Sequence, residues 1–171
     1  MLLRLLGAAG VLAAGLGLGN LAAARYQART RELTALRTAL ELFATQIAYA
    51  ATPLPEALRR TGRFVGGGAG RLLDRAVAIL EGEEGVSAGE AWELALAREE
   101  LPLTVRDREV LRDLGPLLGE AGCQDQLRQL TLAAQRLSAQ EAEAREEERG
   151  HVRLWRYLGF LGGAMLALAL L

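Results

Sequence analysis

Residues 30–51 read TRELTALRTALELFATQIAYAA, and this segment carries the clearest structural pattern in the chain. Apolar side chains recur there every three or four positions, at Leu33, Leu36, Leu40, Phe43, Ile47 and Ala50. Because an α-helix turns once every 3.6 residues, this spacing places them on one stripe of a helix. Nowhere along the chain do apolar and polar residues alternate as they do in a half-buried strand. The sequence therefore predicts an all-α fold in which this helix buries one face.

Proline and glycine divide the next part of the chain. Pro53 and Pro55 end the first helix, since proline lacks an amide donor, and they suit the first turn of a short helix through residues 56–59. The segment GGGAG at residues 66–70 is expected to form a flexible connection. A helical stripe resumes at residues 72–80.

Capping residues mark the later helices. Ser87 and Glu90 form the capping-box pattern, which starts a helix through Trp92. Thr104 is placed to cap a helix that Pro116 kinks or ends, and a last helix begins near Cys123. Residues 25–140 are therefore predicted to form a bundle of about six helices, which is the size of one ordinary domain.

Both ends of the chain are apolar. Residues 5–24 and residues 157–171 contain no acidic or basic side chain. Crossing a hydrocarbon core of about 30 Å takes about 20 apolar residues in a helix, so the second run must extend back through Leu154. Trp155, Arg156 and Tyr157 then lie at the depth where aromatic rings and snorkelling arginines are favoured. We expect transmembrane helices at residues 1–24 and 154–171.

Arginines next to these segments predict the orientation. Basic residues near the ends of membrane spans are retained on the cytoplasmic face. Six arginines follow the first span, or precede or enter the second: Arg25, Arg29, Arg31, Arg149, Arg153 and Arg156. Only Arg4 lies on the far side of the first span. The bundle is thus predicted to be cytoplasmic. In the alternative interpretation, residues 1–24 are a signal peptide cleaved after Ala24, and the bundle is an extracytoplasmic scaffold held by its C-terminal anchor.

Residues 141–153 differ in composition from the bundle. Alanine replaces the larger apolar residues there, and acidic and basic residues are mixed, with Glu141 four positions before Arg145. Such pairs support a solvated helix. We interpret this segment as a charged helical stalk between bundle and membrane, with a disordered acidic linker as the alternative.

The sequence contains no set of residues that indicates catalysis or cofactor binding. His151 is the only imidazole and Cys123 the only thiol, whereas a metal site needs three or four ligands. The glycine-rich segment at 66–70 is not followed by the Lys-Ser/Thr pair of a phosphate-binding loop. With 20 basic and 21 acidic residues, the chain lacks the positive excess typical of nucleic-acid binding. We expect no catalytic, cofactor-binding or metal-binding residues, no nucleic-acid partner and no enzymatic activity.

Glycines in the apolar segments favour association. Gly15 and Gly19 are spaced as a small-xxx-small motif, and so are Gly159 and Gly163. Such motifs allow transmembrane helices to approach closely. A homo-oligomer formed through these segments is one possible arrangement.

Several short segments in fixed order resemble a known family. They are RTAL at 37–40, TPLPEAL at 52–58, Ser87 with EAW at 90–92, EVL at 109–111, LG at 118–119, Gln126 and YLGFLGG at 157–163. Together with the two apolar ends, they resemble the stage III sporulation protein AB family over the whole chain.

The resemblance implies a function as well as a fold. It implies a cytoplasmic helical bundle similar to the F-protein domains of type II secretion and type IV pilus platforms, in the mother-cell membrane around the forespore. The implied partners are a secretion-type ATPase, stage III sporulation protein AA, and other stage III sporulation membrane proteins. The family-motif residues that match here are expected to be structural: Pro53, Leu54, Pro55, Ser87, Trp92, Leu118 and Gly119. Partner-binding residues are not identified by the resemblance.

Overall fold

The structure is a computed structural model. It describes the backbone of residues 2–50, 52–82, 84–120 and 123–170, and the side chains of residues 24–48, 52–82, 84–118 and 125–150. The described backbone contains seven helices and no strand: α1 (Leu2–Ala50), α2 (Leu54–Val65), α3 (Gly67–Gly82), α4 (Ala88–Arg98), α5 (Val105–Arg112), α6 (Leu117–Glu120) and α7 (Cys123–Leu170). The predicted all-α class is confirmed within these residues.

Two compact units make up the chain. One is the bundle, Arg31–Ala142, and the other combines Met1–Thr30 with Glu143–Leu171. Within the described residues, no helix is long and apolar enough to cross a membrane. The predicted spans at 1–24 and 154–171 fall, apart from Ala24, outside the residues whose side chains are described.

The core of the bundle follows the predicted stripe of α1. Leu33, Leu36, Leu40 and Phe43 are all buried, and Ile47 is half-buried at the edge. Apolar residues from the other helices complete the core: Leu58, Leu72, Leu73, Val77, Trp92, Leu96, Leu111, Leu114, Leu130 and Leu137. Removing this much apolar surface from water is the main force that holds the helices together.

Two helices end differently from the sequence-based expectation. α2 continues to Val65, because Ala57, Leu58, Thr61 and Gly62 are buried and add a second turn of packing. The helix that begins after Thr104 ends at Arg112, a turn carries the chain past Pro116, and the four-residue α6 follows. Pro116 therefore lies in a break between helices, as its missing amide donor predicts.

The prediction of a flexible connection at residues 66–70 is wrong. Only Gly66 is non-helical, and Gly68, Ala69 and Gly70 are buried in the first turn of α3. A Cβ atom on Gly70 would lie 2.7 Å from the carbonyl oxygen of Gly62, so the glycines allow α2 and α3 to touch backbone to backbone. The glycines serve close packing here, which an isolated sequence pattern does not distinguish from flexibility.

The charged segment at 141–153 is helical throughout, as part of α7. Its first residue departs from the expectation of a solvated face, because Glu141 is only 5% exposed. The assignment of this segment as a stalk stays a prediction.

Candidate functional site

A carboxylate from α1 occupies the N-terminal end of α3. The backbone amides of Ala69 and Gly68 face the Glu32 carboxylate, at the helix end that carries partial positive charge. Oε1 of Glu32 is buried and has no hydrogen-bond partner among the described residues. A Cβ atom on Gly68 would lie 2.6 Å from Oε1 and 2.7 Å from Oε2 of Glu32. Burial raises the pKa of Glu32, although the two amides and Arg71 oppose the shift. The glycine-rich segment therefore accommodates a carboxyl group, which belongs to a side chain of the same bundle.

A second buried carboxylate ends α4. Glu99 is the C-cap residue of α4, and its side chain is 6% exposed. Arg71 Nε donates to its Oε1 at 2.7 Å, and Arg75 Nε donates to its Oε2 at 3.2 Å. The hydrogen bond from Arg71 lowers the pKa of Glu99 further than burial raises it. These contacts tie α3 to the end of α4.

The third buried carboxylate joins α1 to α7. Thr34 Oγ1 donates to Glu141 Oε1 at 2.7 Å, and Arg37 Nε donates to Glu141 Oε2 at 2.9 Å. The same guanidinium reaches Glu41 through Nη1, at 2.8 Å. The hydrogen bond to Glu141 raises the pKa of Arg37, so the guanidinium stays charged. In the other unit, Arg29 pairs with Glu147 at 2.7 Å and joins the same two helices.

The predicted helix caps are present. Ser87 Oγ accepts a hydrogen bond from the Glu90 amide, and the Ser87 amide donates one to Glu90 Oε2, which lowers the pKa of Glu90. A matching box links Thr104 and Asp107 at the start of α5. Arg108 donates to the carbonyl oxygens of Leu96 and Leu101, a contact that satisfies acceptors at the end of α4.

The family-motif residues lie in structural positions where they are described. Pro53 precedes α2, and Leu54 and Pro55 form its first turn. Trp92 is 2% exposed, and its Nε1 donates to the Leu111 carbonyl oxygen at 2.6 Å. Leu118 is buried in α6, whereas the surroundings of Gly119 lie outside the described residues.

The structure describes only some of the arginines that are predicted to determine the membrane orientation. Arg25, Arg31 and Arg149 are exposed, and Arg29 is half-buried in its pair with Glu147. Arg153 and Arg156 fall outside the described side chains, as do His151 and Cys123.

The buried carboxylates hold helices together rather than forming a reaction centre. Glu99 and Glu141 accept hydrogen bonds from arginines or a threonine, and Glu32 faces backbone amides, so each carboxyl group is already engaged within the bundle. Where side chains are described, no group of three or more His, Cys, Asp and Glu residues could hold a metal ion. Sequence reasoning did not identify Glu32 or Glu99, and it placed Glu141 in a solvated helix.

Two surface features are candidates for partner binding. A groove of about 350 Å³ runs between α1 and α7 of the bundle, lined by Leu40, Glu41, Ala44, Leu130, Thr131, Ala134, Gln135 and Ser138. Exposed large apolar side chains are found at Phe64, Val105 and Leu132. The sequence offered no signal for either feature. Without knowledge of the packing, an exposed apolar residue of a helix cannot be distinguished from a core residue, and a groove between two helices cannot be recognised.

Comparison with known proteins supports the family resemblance over the whole chain. A family model of stage III sporulation protein AB matches residues 4–171. Stage III sporulation protein AB of Bacillus subtilis (strain 168) is 31% identical over 172 residues, which cover 99% of this chain and 100% of that protein. A solved structure of stage III sporulation protein AB is similar with a TM-score of 0.66 and 29% identity, over 72% of this chain and 98% of its own. The chain therefore belongs to the stage III sporulation protein AB family.

Proposed function

We propose that this protein is a non-catalytic platform component of the sporulation channel complex between mother cell and forespore. In this role it couples a cytoplasmic ATPase, stage III sporulation protein AA, to neighbouring stage III sporulation membrane proteins. The observation that carries the proposal is the family match over residues 4–171, which includes both apolar ends together with the bundle. Transmission of position, rather than chemistry, is the proposed mechanism.

The ion pairs of the bundle support this mechanism. A coupling element must move as a body when a partner pushes on it. Buried, hydrogen-bonded ion pairs hold helices in one register, because any shift would leave a desolvated charge without its partner. Glu99 restrains α3 against the end of α4, and Glu141 restrains α1 against α7. The bundle is accordingly suited to pass on a displacement without absorbing it.

Membrane attachment is part of the proposal. Residues 1–24 and 154–171 are proposed to span the mother-cell membrane around the forespore, with residues 25–140 in the cytoplasm and residues 141–153 as a stalk. Residue 85 offers a position for a topology reporter, because Gly85 is exposed in the turn between α3 and α4. Alkaline phosphatase inserted there should be inactive and a fluorescent protein should be bright. Phosphatase activity would contradict the cytoplasmic assignment.

The secreted-scaffold alternative makes a different prediction about the N-terminus. Cleavage after Ala24 would leave a mature chain that begins at Arg25. Mass spectrometry of the protein isolated from membranes should instead find the N-terminal peptide intact.

Coupling to the ATPase can be measured directly. The full chain in lipid nanodiscs should bind purified stage III sporulation protein AA and change its ATP turnover, whereas empty nanodiscs should do neither. ATP turnover by the chain alone would contradict a non-catalytic role. Absence of both binding and any change in turnover would contradict the coupling role.

A further inference from the structure

The end of α2 presents an exposed aromatic side chain at a corner of the bundle. We define the α2–α3 corner as Arg63, Phe64, Gly66 and Gly67. Phe64 is 73% exposed, whereas Phe43 and Trp92 are each 2% exposed. An aromatic ring exposed to water gains free energy when it is buried, whether in the core or against a partner. A ring in this position is therefore available to a partner.

Nothing in the described part of the bundle covers the corner. Gly66 and Gly67 follow Phe64 with φ angles of 60° and 61°, in the left-handed region that glycine adopts without strain. A Cβ atom at either position would meet no atom within 4 Å. A partner can thus approach the ring and the adjacent backbone without displacing any described side chain.

The corner is nevertheless held firmly in place. The Gly66 amide donates to the Gly62 carbonyl oxygen at 3.0 Å, and the Gly70 amide donates to the Gly66 carbonyl oxygen at 2.7 Å. On the α3 side, the Glu32 carboxylate packs against Gly68, where a Cβ atom would lie 2.6 Å from Oε1. A surface that is already ordered loses little conformational entropy when it binds, and this favours recognition.

The charge at the corner is positive and not fully compensated. Arg63 is exposed and makes no ion pair with any described side chain. One turn earlier, Arg60 is 60% exposed and pairs with Glu56, so the acidic residue of this face is already engaged. An unpaired arginine beside an exposed aromatic ring is a combination that is enriched in protein interfaces.

We propose that the α2–α3 corner is the docking surface for an acidic protein partner. An apolar pocket of that partner receives the Phe64 ring, and a carboxylate at the pocket rim pairs with Arg63. A protein surface fits better than a lipid surface, because Phe64 is the only large apolar residue among the exposed residues of α2, and the other two are arginines, Arg60 and Arg63. Helices that lie in a membrane interface present a broad apolar face instead. The inference deepens the proposed function by naming a binding surface for it.

Photo-crosslinking from the corner tests the proposal. The full-length chain carries p-benzoylphenylalanine in place of Phe64 and is expressed at its normal level in sporulating cells. The matched control carries the same group in place of Val105, an apolar residue of α5 that is 74% exposed. Position 64 should form one defined protein adduct whose crosslinked peptide is rich in Asp and Glu, and position 105 should not form it. No protein adduct, an adduct with lipid alone, an adduct with a second copy of this chain, or equal adducts at both positions would overturn the proposal.

Charge reversal separates recognition from simple proximity. Arg63→Glu in the crosslinking chain should reduce the adduct about fivefold or more, because the rim carboxylate would face a like charge. Arg128→Glu makes the same charge change at an exposed position of α7 and should leave the adduct unchanged. Reversing the crosslinked carboxylate of the partner to arginine should restore the adduct of Arg63→Glu. An adduct that Arg63→Glu does not reduce overturns the proposal.

The two proposals can fail separately. Binding of stage III sporulation protein AA that persists in Arg63→Glu, with no protein adduct at position 64, would leave the coupling role intact and reject the corner. A charge-dependent adduct with a different acidic protein, together with no effect on ATP turnover, would support the corner and reject the coupling role.

Discussion

A single glycine decides how α1 and α3 meet. Gly68 lies in the first turn of α3 at the point where the Glu32 carboxylate and the Leu101 side chain both approach the backbone. Any larger residue would occupy the space of these atoms. Glycine is needed here because the Glu32 carboxylate approaches the amide groups at the end of the helix.

Gly68→Ala should therefore destabilise the bundle. The new Cβ atom would lie 2.6 Å from Glu32 Oε1 and 2.7 Å from Leu101 Cδ2. These are the ends of flexible side chains that can shift, so the expected cost is about 1 kcal/mol of unfolding free energy. Gly82→Ala, in the last turn of α3, is the matched control, because no atom lies within 4 Å of its Cβ position. Thermal unfolding of the full chain in detergent, followed by circular dichroism, measures both. Equal melting temperatures for the two variants would contradict the steric argument.

At the scale of helices, long-range ion pairs fix which faces meet. Apolar stripes on α1 and α7 can slide past each other at little cost, since one leucine replaces another along the seam. A buried carboxylate with two donors cannot slide in this way. Glu141 bonds to Thr34 and Arg37 across 107 and 104 residues of sequence, and so selects one register of α1 against α7.

Glu141→Gln should weaken this register. The amide group cannot accept from both Thr34 and Arg37, so one donor loses its partner in a buried position. The expected loss is about 2 kcal/mol of unfolding free energy. Glu143→Gln, at an exposed position two residues later, should change stability by less than about 0.5 kcal/mol. Chemical denaturation of both variants provides the measurement, and a loss no larger than that of Glu143→Gln would show that Glu141 is not a register contact.

For the whole molecule, the net charge is −1, but individual carboxyl groups lie in very different surroundings. The pKa of Glu99 is lowered by Arg71 and Arg75, whereas the pKa of Glu32 is raised by burial. The folded state therefore resists protonation at Glu99 and favours it at Glu32. Acid acts on the bundle through opposite contributions from two carboxylates that both face α3.

The contribution of Glu99 should appear as a pH dependence. Its pKa is below the ordinary value of 4.5 only in the folded state, so its stabilisation is complete above that pH and is lost as the pH falls through the folded value. Glu99→Gln should be less stable than the native chain by about 1 kcal/mol at neutral pH, and the difference should vanish in strong acid. Glu100→Gln, at the exposed neighbouring position, should show no such dependence. Melting temperatures of the three proteins between neutral and acidic pH decide this. A difference that is independent of pH would contradict the ion-pair explanation.

Much of the fold could be predicted from local sequence. The stripe from Leu33 to Phe43, the capping box at Ser87 and the break at Pro116 depend on residues within a few positions of each other, and all three are present. The apolar ends and the short motifs in fixed order also indicated the family that the comparisons show. Helix ends were predicted less well, as in α2, because packing against α3 extends that helix beyond its local signals.

The candidate site was largely beyond prediction. The residues that flank Glu32, Glu99 and Glu141 along the chain do not distinguish them from the exposed Glu143 or Glu100. The glycines at 66–70 looked like a flexible connection for the same reason. The exposure of Phe64 likewise depends on what the rest of the bundle leaves uncovered.

By itself, the sequence determined the helical class, the order of the helices and their caps, because hydrophobic periodicity and capping act over one or two turns. Only the tertiary structure decided which carboxylates are buried, which glycines are in contact and which aromatic ring is exposed. The partners of Glu99 and Glu141 lie between 24 and 107 residues away along the chain. Such contacts exist only after the helices have packed, and no local pattern records them.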